Sequence, residues 1–398
     1  MQPGPPPPFI SRVQLKNYRS IEACDVVLGP LAFLVGPNGS GKSNFLDALR
    51  LTSDALTTSL DHALRERGGI NEVRRRSSGH PTHFGLRVDF QLDDGATGHL
   101  AFEIAARSRG DYVVKHEFCR VGPALYEVKE GKVVRTTVSV APPAAPDRLY
   151  LVNAAGLPEF RPAYDALAAM GFYSFNPSVI RELQSADRGE VLARDGHNLA
   201  SVLERLERSE HRGVLDRVQE YLSRVVPGLT GFHSLRVPPK ETVEFFQQVE
   251  GAKDAWRFPA INMSDGTLRA LAILVALFQD GGERRIRLIG LEEPETALHP
   301  AAAGLLRDCI VEATTSTQVL VTSHSAELLD AADIRTDSIY AVEASLGKTS
   351  IAPLTEATRS LLRDRLFTVG ELLRANQLQP DMALVGRADQ LKLFRDEP

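Results

Sequence analysis

The chain has 398 residues, 43% of them hydrophobic and 24% charged, with a formal net charge of -5 at pH 7. This is ordinary globular composition, long enough for two or three structural units with a large core, and its mild negative charge excludes a chain coated for nucleic-acid binding while leaving room for a local basic patch. Cys24, Cys119 and Cys309 lie far apart with no CxxC or Cys/His cluster, which argues against disulfides and structural zinc and fits a reduced cytoplasmic protein.

Residues 1–9, MQPGPPPPF, lack a basic region followed by an apolar segment and are not expected to be a secretory signal. Their prolines predict a stiff, disordered tail, with a ligand for an SH3-like partner as the alternative. Residues 10–60 read as strands ISRVQLKNYRS, IEACDVVL and LAFLV, then the loop GPNGSGKS, then a helix that sets Phe45, Leu46, Leu49 and Leu56 near one face. Residues 61–150 carry HFGLRVDFQL, HLAFEIAARS, DYVVKHEFCRV, ALYEV and VVRTTVSV, separated by turn signals, which predict an antiparallel β-subdomain.

Residues 151–257 read as a helical and β insert. Positions 158–226 are helical in pattern, with two amphipathic helices breaking near Arg212 and Gly213, and FHSLRV and ETVEFFQQVE follow as strands. No heptad run is long enough for a coiled-coil arm. From 258 to 345 the pattern is α/β: a helix Asp265–Gln279, the strand IRLIGL, a helix after Pro300, the strand QVLVTSH, a further helix and the strand SIYAVEA. Such alternation predicts a largely parallel sheet, so one α/β domain is expected to be split around an insert. Residues 346–398 read as a short helical segment. The longest apolar run, 271–278, is far too short to span a bilayer.

Four stretches carry chemistry. Gly36, Gly41, Lys42 and Ser43 match G-x-x-x-x-G-K-[ST] between a strand and a helix. Glycines let the backbone curl N–H groups onto a phosphate, and the helix start adds its positive end. Lys42 can reach the β- and γ-phosphates, and the Ser43 hydroxyl can ligate Mg²⁺. In RLIGLEEPE a buried strand ends in Glu292 and Glu293, at the edge that faces the ligand crevice of an α/β sheet. Glu292 can hold Mg²⁺ through water, and Glu293 can deprotonate the attacking water. In VTSHS, His324 stands one strand-helix unit later, placed to donate to a γ-phosphate. In MSDGT, Ser264, Asp265 and Gly266 open a helix, either as a plain N-cap or as an anion site for a phosphate carried by another subunit.

GPNGSGKSN, MSDGT, LEEPETALHP and VTSHS, in this order, resemble an ABC-type P-loop ATPase, and more narrowly the ATPase domains of RecF, SMC and OLD-type nucleases. The resemblance covers residues 10–56 and 258–345, and comes nearest to stand-alone ATPases with neither a coiled-coil arm nor a fused nuclease. It implies an α/β fold: an ABC-ATPase-type head with a mixed sheet, an antiparallel β-subdomain and a helical insert. It implies ATP and Mg²⁺ as cofactors and an ATP-dependent, head-to-tail homodimer. One subunit gives Gly36, Pro37, Asn38, Gly39, Ser40, Gly41, Lys42, Ser43 and Asn44 with the acids and His324; the other gives Ser264, Asp265 and Gly266. TALHP, 296–300, takes the place of the loop that couples the two sites. Arg19 matches an arginine near the nucleotide. Asn176 in FYSFNP takes the place of the family's metal-sensing glutamine. The sequence departs from the family in having Glu292 where aspartate is usual and SDGT in place of a double glycine.

VRRRSSGH, 73–80, and RSLLRDRLF, 359–367, are small basic clusters that a solvated face explains; nucleic acid enters through the resemblance. The roughly 55 residues after the last expected strand are too few for a nuclease domain, so any cleavage is expected to come from a partner nuclease or effector protein. The expectation is a cytoplasmic ATPase switch in DNA repair or defence against mobile DNA, with no membrane partner. The alternatives are an ABC transporter's nucleotide-binding subunit and a nucleotide sensor with little turnover; a small-molecule kinase would not need MSDGT or His324.

Overall fold

The computed structural model describes residues 7–77, 79, 81–208, 212–279, 285–330, 334–388 and 391–395. Residues 1–6 of the proline-rich tail, and Ser78 and His80 of the basic cluster, lie outside the described residues. In chain order the first strands are β1 Ile10–Tyr18, β2 Ile21–Val27, β3 Leu31–Val35, β4 His83–Gln91, β5 Thr97–Ala106, β6 Tyr112–Val121, β7 Ala124–Lys129 and β8 Lys132–Thr136. Next come β9 Gly171–Tyr173, β10 Gln184–Ser185, β11 Leu229–Val237, β12 Lys240–Gln247, β13 Trp256–Pro259, β14 Leu288–Glu292 and β15 Gln318–Ser323, and last β16 Ile339–Ser345 and β17 Lys348–Pro353. These form two compact units, Met1–Met170 with Ala332–Pro398, and Gly171–Ala331.

The first unit holds strands in the order β8-β7-β6-β5-β4-β1-β2-β17-β16-β3. Pairing is antiparallel from β8 to β2, parallel between β2 and β17, antiparallel between β17 and β16, and parallel between β16 and β3. The expected antiparallel strands are present, and they continue the same sheet: Val13 of β1 faces Val26 of β2 on one side and Val88 of β4 on the other. Helix Lys42–Thr57 buries Phe45, Leu46, Leu49 and Leu56, each contributing about 1.5–3 kcal/mol through apolar burial. Helix Arg161–Ala168 packs beside it, with Tyr164 donating to Leu56 O at 3.0 Å and Ser53 donating to Ala168 O at 3.0 Å.

The second unit has a parallel sheet β15-β14-β9, in which Leu291 faces Val321 on one side and Tyr173 on the other. Helix Asp265–Phe278 is buried from Thr267 onward, apart from Arg269, and helix Ala303–Ala313 follows the acid-bearing loop. A second, antiparallel sheet has the order β10-β12-β11, with β13 also on β12. The two expected amphipathic helices are Leu199–Glu207 and Arg212–Val225.

Strands stand in two stretches that the sequence pattern reads as helical. The segment after 345, expected to be wholly helical, begins with β17, which pairs back on β16 through Leu346 (φ 49°) and Gly347 (φ 75°). Turns of this kind ordinarily carry Asn or Asp at the first position, and a leucine there hides the hairpin. Within the expected helical stretch 158–226, Gly171–Tyr173 is a fully buried strand and Gln184–Ser185 is a short strand on β12; two or three residues are too few to show a period. Among the described residues no helix is long and apolar enough to cross a membrane.

Candidate functional site

In the first unit, β3 ends at Val35 and the chain turns through Gly36–Gly41 into the helix at Lys42. Two glycines are dictated by geometry. A methyl at Gly36 would lie 2.0 Å from Val342 O in β16. Gly41 has φ 100°, and a methyl there would lie 2.2 Å from Thr349 Oγ1. The helix start has no side-chain cap and no acid in its first turn, so its N–H groups and dipole are available to an anion. Lys42 is 3% exposed and its Nζ donates to Gly36 O (2.9 Å) and Pro37 O (3.0 Å), so the ammonium is held within the loop that a phosphate would fill. Asn38, Gly39 and Ser43 are exposed.

The loop is braced by β17 and by the turn between β1 and β2, which its motif does not include. Thr349 Oγ1 donates to Ser40 O at 2.8 Å and meets Ser20 Oγ at 2.7 Å, and Asn44 Nδ2 donates to Ser20 Oγ at 2.6 Å. The Asn44 amide thus supports the loop from within. Arg19, at φ 47°, directs its guanidinium to Asp47 (2.9 Å) on the helix after the loop. Asp47 also accepts from Tyr18 OH (2.8 Å) and Arg67 Nε (3.0 Å) and faces Arg50 (3.2 Å). Three arginines around one carboxylate, with Asp54 as a second acid, fix the helix against β1.

In the second unit, Glu292 ends β14 and accepts from Arg194 at 2.7 Å. Glu293 has φ 43° and Ala297 φ 65°, conformations rarely taken by residues with a Cβ and concentrated at functional sites. The loop between them is held from three sides. Glu293 N–H donates to Thr322 O at 3.0 Å. Arg269 donates to Thr296 O (3.1 Å) and to Phe175 O (2.6 Å), the residue before Asn176. Glu295 Oε1 accepts from Ser323 Oγ (2.7 Å) and from His324 N–H (3.1 Å). The His324 ring brings Nδ1 to 3.5 Å from Glu293 Oε1.

Ser264 caps helix Asp265–Phe278, its Oγ accepting from Thr267 N–H at 3.2 Å, and is exposed. Gly266 sits against Ala297 O, and Asp265 pairs with Arg181. Asn176 caps helix Pro177–Arg181, its Oδ1 accepting from Ser178 N–H at 3.1 Å. Thus Gly36–Asn44 and Arg19 stand together in one unit, and Glu292, Glu293, His324, Asn176 and Ser264–Gly266 in the other.

Sequence reading missed Ser20, Thr349, Asp47, Arg67, Arg194, Arg269 and Glu295. Ser20, Asp47, Arg269 and Glu295 stand in stretches that the motifs or the resemblance already mark; Thr349, Arg67 and Arg194 do not. Among the described residues no group of three or more His, Cys, Asp or Glu forms a metal cage. The hydroxyl of exposed Ser43, at the helix start behind the loop, suits a hard cation that arrives with substrate phosphates and keeps several waters, as Mg²⁺ does.

Residues 9–82 match the family described as AAA ATPase domain, and residues 160–330 the family described as AAA domain, putative AbiEii toxin, Type IV TA system. The OLD nuclease of Thermus scotoductus is 49% identical over 43 residues, 11% of this chain and 8% of that protein. The DNA replication and repair protein RecF of Vibrio vulnificus is also 49% identical over 43 residues, 11% of this chain and 12% of that protein. RecF of an Enterobacter species is 33% identical over 107 residues, 24% of this chain and 30% of its own length. The matched stretches therefore span 8 to 30% of these relatives. Two solved structures share the fold: an SMC head bound to the C-winged helix domain of ScpA (TM-score 0.53, 14% identity, 88% of this chain and 99% of that one), and the Pyrococcus furiosus Smc head with an extended coiled coil bound to the C-terminal domain of ScpA (TM-score 0.54, 13% identity, 90% and 99%).

Proposed function

Since this chain is a P-loop ATPase of the RecF/SMC/OLD-like group, we propose that it works as an ATP-driven switch: Mg-ATP closes two copies head to tail, hydrolysis reopens them, and the motion passes to nucleic acid or a partner protein. The observation that carries this reading is the loop Gly36–Lys42, with an uncapped helix start behind it and a buried lysine bonded to its own carbonyls. Such an arrangement suits the binding of a phosphate.

In this reading the β- and γ-phosphates displace the two carbonyls from Lys42 and take the N–H groups of Gly36–Asn44. Ser43, Glu292 and Asn176 would hold Mg²⁺ around its waters; Mg²⁺ supplies charge neutralisation at the phosphates. Glu293 takes the proton of the attacking water, and His324 contacts the γ-phosphate. Arg19, whose guanidinium is held by Asp47, would have to leave that ion pair to reach the nucleotide. Ser264, Asp265 and Gly266 meet the other copy's nucleotide, a role that the exposure of Ser264 supports.

A setting in DNA repair draws on the relative named DNA replication and repair protein RecF; in this reading the chain is cytoplasmic, defence against mobile DNA is the alternative setting, and a partner nuclease or effector would do any cutting. The test is the mass of Glu293→Gln by light scattering with and without Mg-ATP, beside a steady-state ATPase assay. Doubling with ATP and loss of turnover are expected. Turnover at the wild-type rate would remove Glu293 from the base role. A monomer in both conditions would remove the head-to-tail pairing.

A further inference from the structure

We infer that Glu295 is the positioning residue of His324, an inference that rests on the reading of His324 as a nucleotide-site residue. Glu295 follows the proposed base by two positions and its side chain is 9% exposed. Its Oε1 holds Ser323 Oγ and the His324 N–H, the residues at the end of β15 that carry the ring. The same oxygen lies 3.8 Å from His324 Nδ1, and Glu293 Oε1 lies 3.5 Å from it. One ring nitrogen therefore faces two carboxylates. Among the described residues Arg269 is a cation that faces both acids; its Nη1 donates to Thr296 O.

Glu295 Oε2 is buried and has no hydrogen-bond partner among the described residues. A buried acceptor in that state is costly, and natural structures seldom keep one without a use. A shift of the ring toward Glu295 would bring Nδ1–H within reach of this carboxylate, whose Oε2 still lacks a donor. Two consequences follow from an N–H shared between two acids. The proton resides on Nδ1, which turns Nε2 away from the acids, as a carboxylate partner does for other functional histidines. Glu293 and Glu295 are alternative acceptors for that N–H. With the ring drawn to Glu295, the Glu293 carboxylate takes the proton of the attacking water as the new O–P bond forms and the bond to the departing ADP oxygen breaks.

The test uses Glu295→Ala, Glu295→Asp and Glu295→Gln in the full chain, with ATPase kinetics, nucleotide affinity and the ¹⁵N shifts of the His324 ring, assigned by their loss in His324→Asn. In Glu295→Ala, kcat should fall on the order of 100-fold, the scale of a misplaced catalytic group, with nucleotide affinity unchanged. Glu295→Asp should recover part of the rate, and the ring of Glu295→Ala should lose its Nδ1–H preference. A retained kcat would overturn the inference. So would a fall in kcat with an unchanged tautomer, which would make Glu295 a structural residue only. If Glu295→Ala fails to fold, Glu295→Gln, equal in shape, carries the same two readouts. If the wild-type chain does not turn over ATP, the proposed function fails and the tautomer alone decides this point.

Discussion

Thr349 Oγ1 donates a hydrogen bond of 2.8 Å to the carbonyl of Ser40, tying β17 to the phosphate loop across 309 residues of sequence. Thr349 is 1% exposed, so a lost bond there is not replaced by water. Thr349→Val keeps the shape and removes the donor. It should cost about 1–3 kcal/mol, the penalty of a buried acceptor left unmade, and weaken nucleotide binding. Denaturant unfolding and a nucleotide titration check both; unaltered affinity would mean that the loop does not need this brace.

Lys42 Nζ donates to two carbonyls of the loop, Gly36 O and Pro37 O. Lys42→Ala removes a charge-assisted donor worth about 1.5–3 kcal/mol, so ATP affinity should drop by about 10- to 100-fold. Calorimetric titration of ATP reads this directly. Equal affinity in variant and wild type would take Lys42 out of phosphate binding.

The Arg67 side chain is 1% exposed and is held by Asp47 (3.0 Å) and Asp54 (2.8 Å). Asp47→Ala leaves that buried guanidinium with one acid and strands the Tyr18 hydroxyl as well. Breaking a buried pair from one side costs about 3–5 kcal/mol. The shift in the urea midpoint measures it, and a loss below 1 kcal/mol would show that Asp54 alone satisfies Arg67.

Glu117 is fully buried in β6, where it accepts from Tyr126 OH and from the N–H groups of Tyr150 and Leu151. Burial raises its carboxyl from the ordinary 4.5 to about 7, against the lowering effect of those donors. The folded state thus binds the proton more tightly than the unfolded one. Its contribution to stability is complete below pH 4.5 and is lost as pH rises to about 7, a change of about 3 kcal/mol. Unfolding free energies measured across that window should fall with pH, and Glu117→Gln should flatten the fall. An unchanged slope would show that another group sets it.

Much of the site was legible in the sequence because its parts are local. Strand, glycine loop, lysine and helix are contiguous at 31–57, and the structure places Gly36 and Gly41 where a side chain would strike Val342 and Thr349. The acids end a buried strand, as LIGLEEPE predicts. The braces were not legible. Ser20 and Thr349 meet the loop from opposite ends of the chain, and no spacing rule joins residues that far apart. Arg194 reaches Glu292 from a segment without regular structure, and nothing in its neighbours marks it.

By itself the sequence determined the strand–glycine-loop–helix at 31–57, the two acids at a strand end, the periodicity of the main helices and the antiparallel character of residues 83–136, because each depends on a few consecutive residues obeying a steric or hydrophobic period. Only the tertiary structure decided that those antiparallel strands extend the sheet of β1 and β2, that Leu346 and Gly347 turn the chain into β17, and that Asp47 gathers three arginines. Strand neighbours, ion-pair hubs and buried acceptors are settled by which distant surfaces meet, and that depends on the packing of the whole chain.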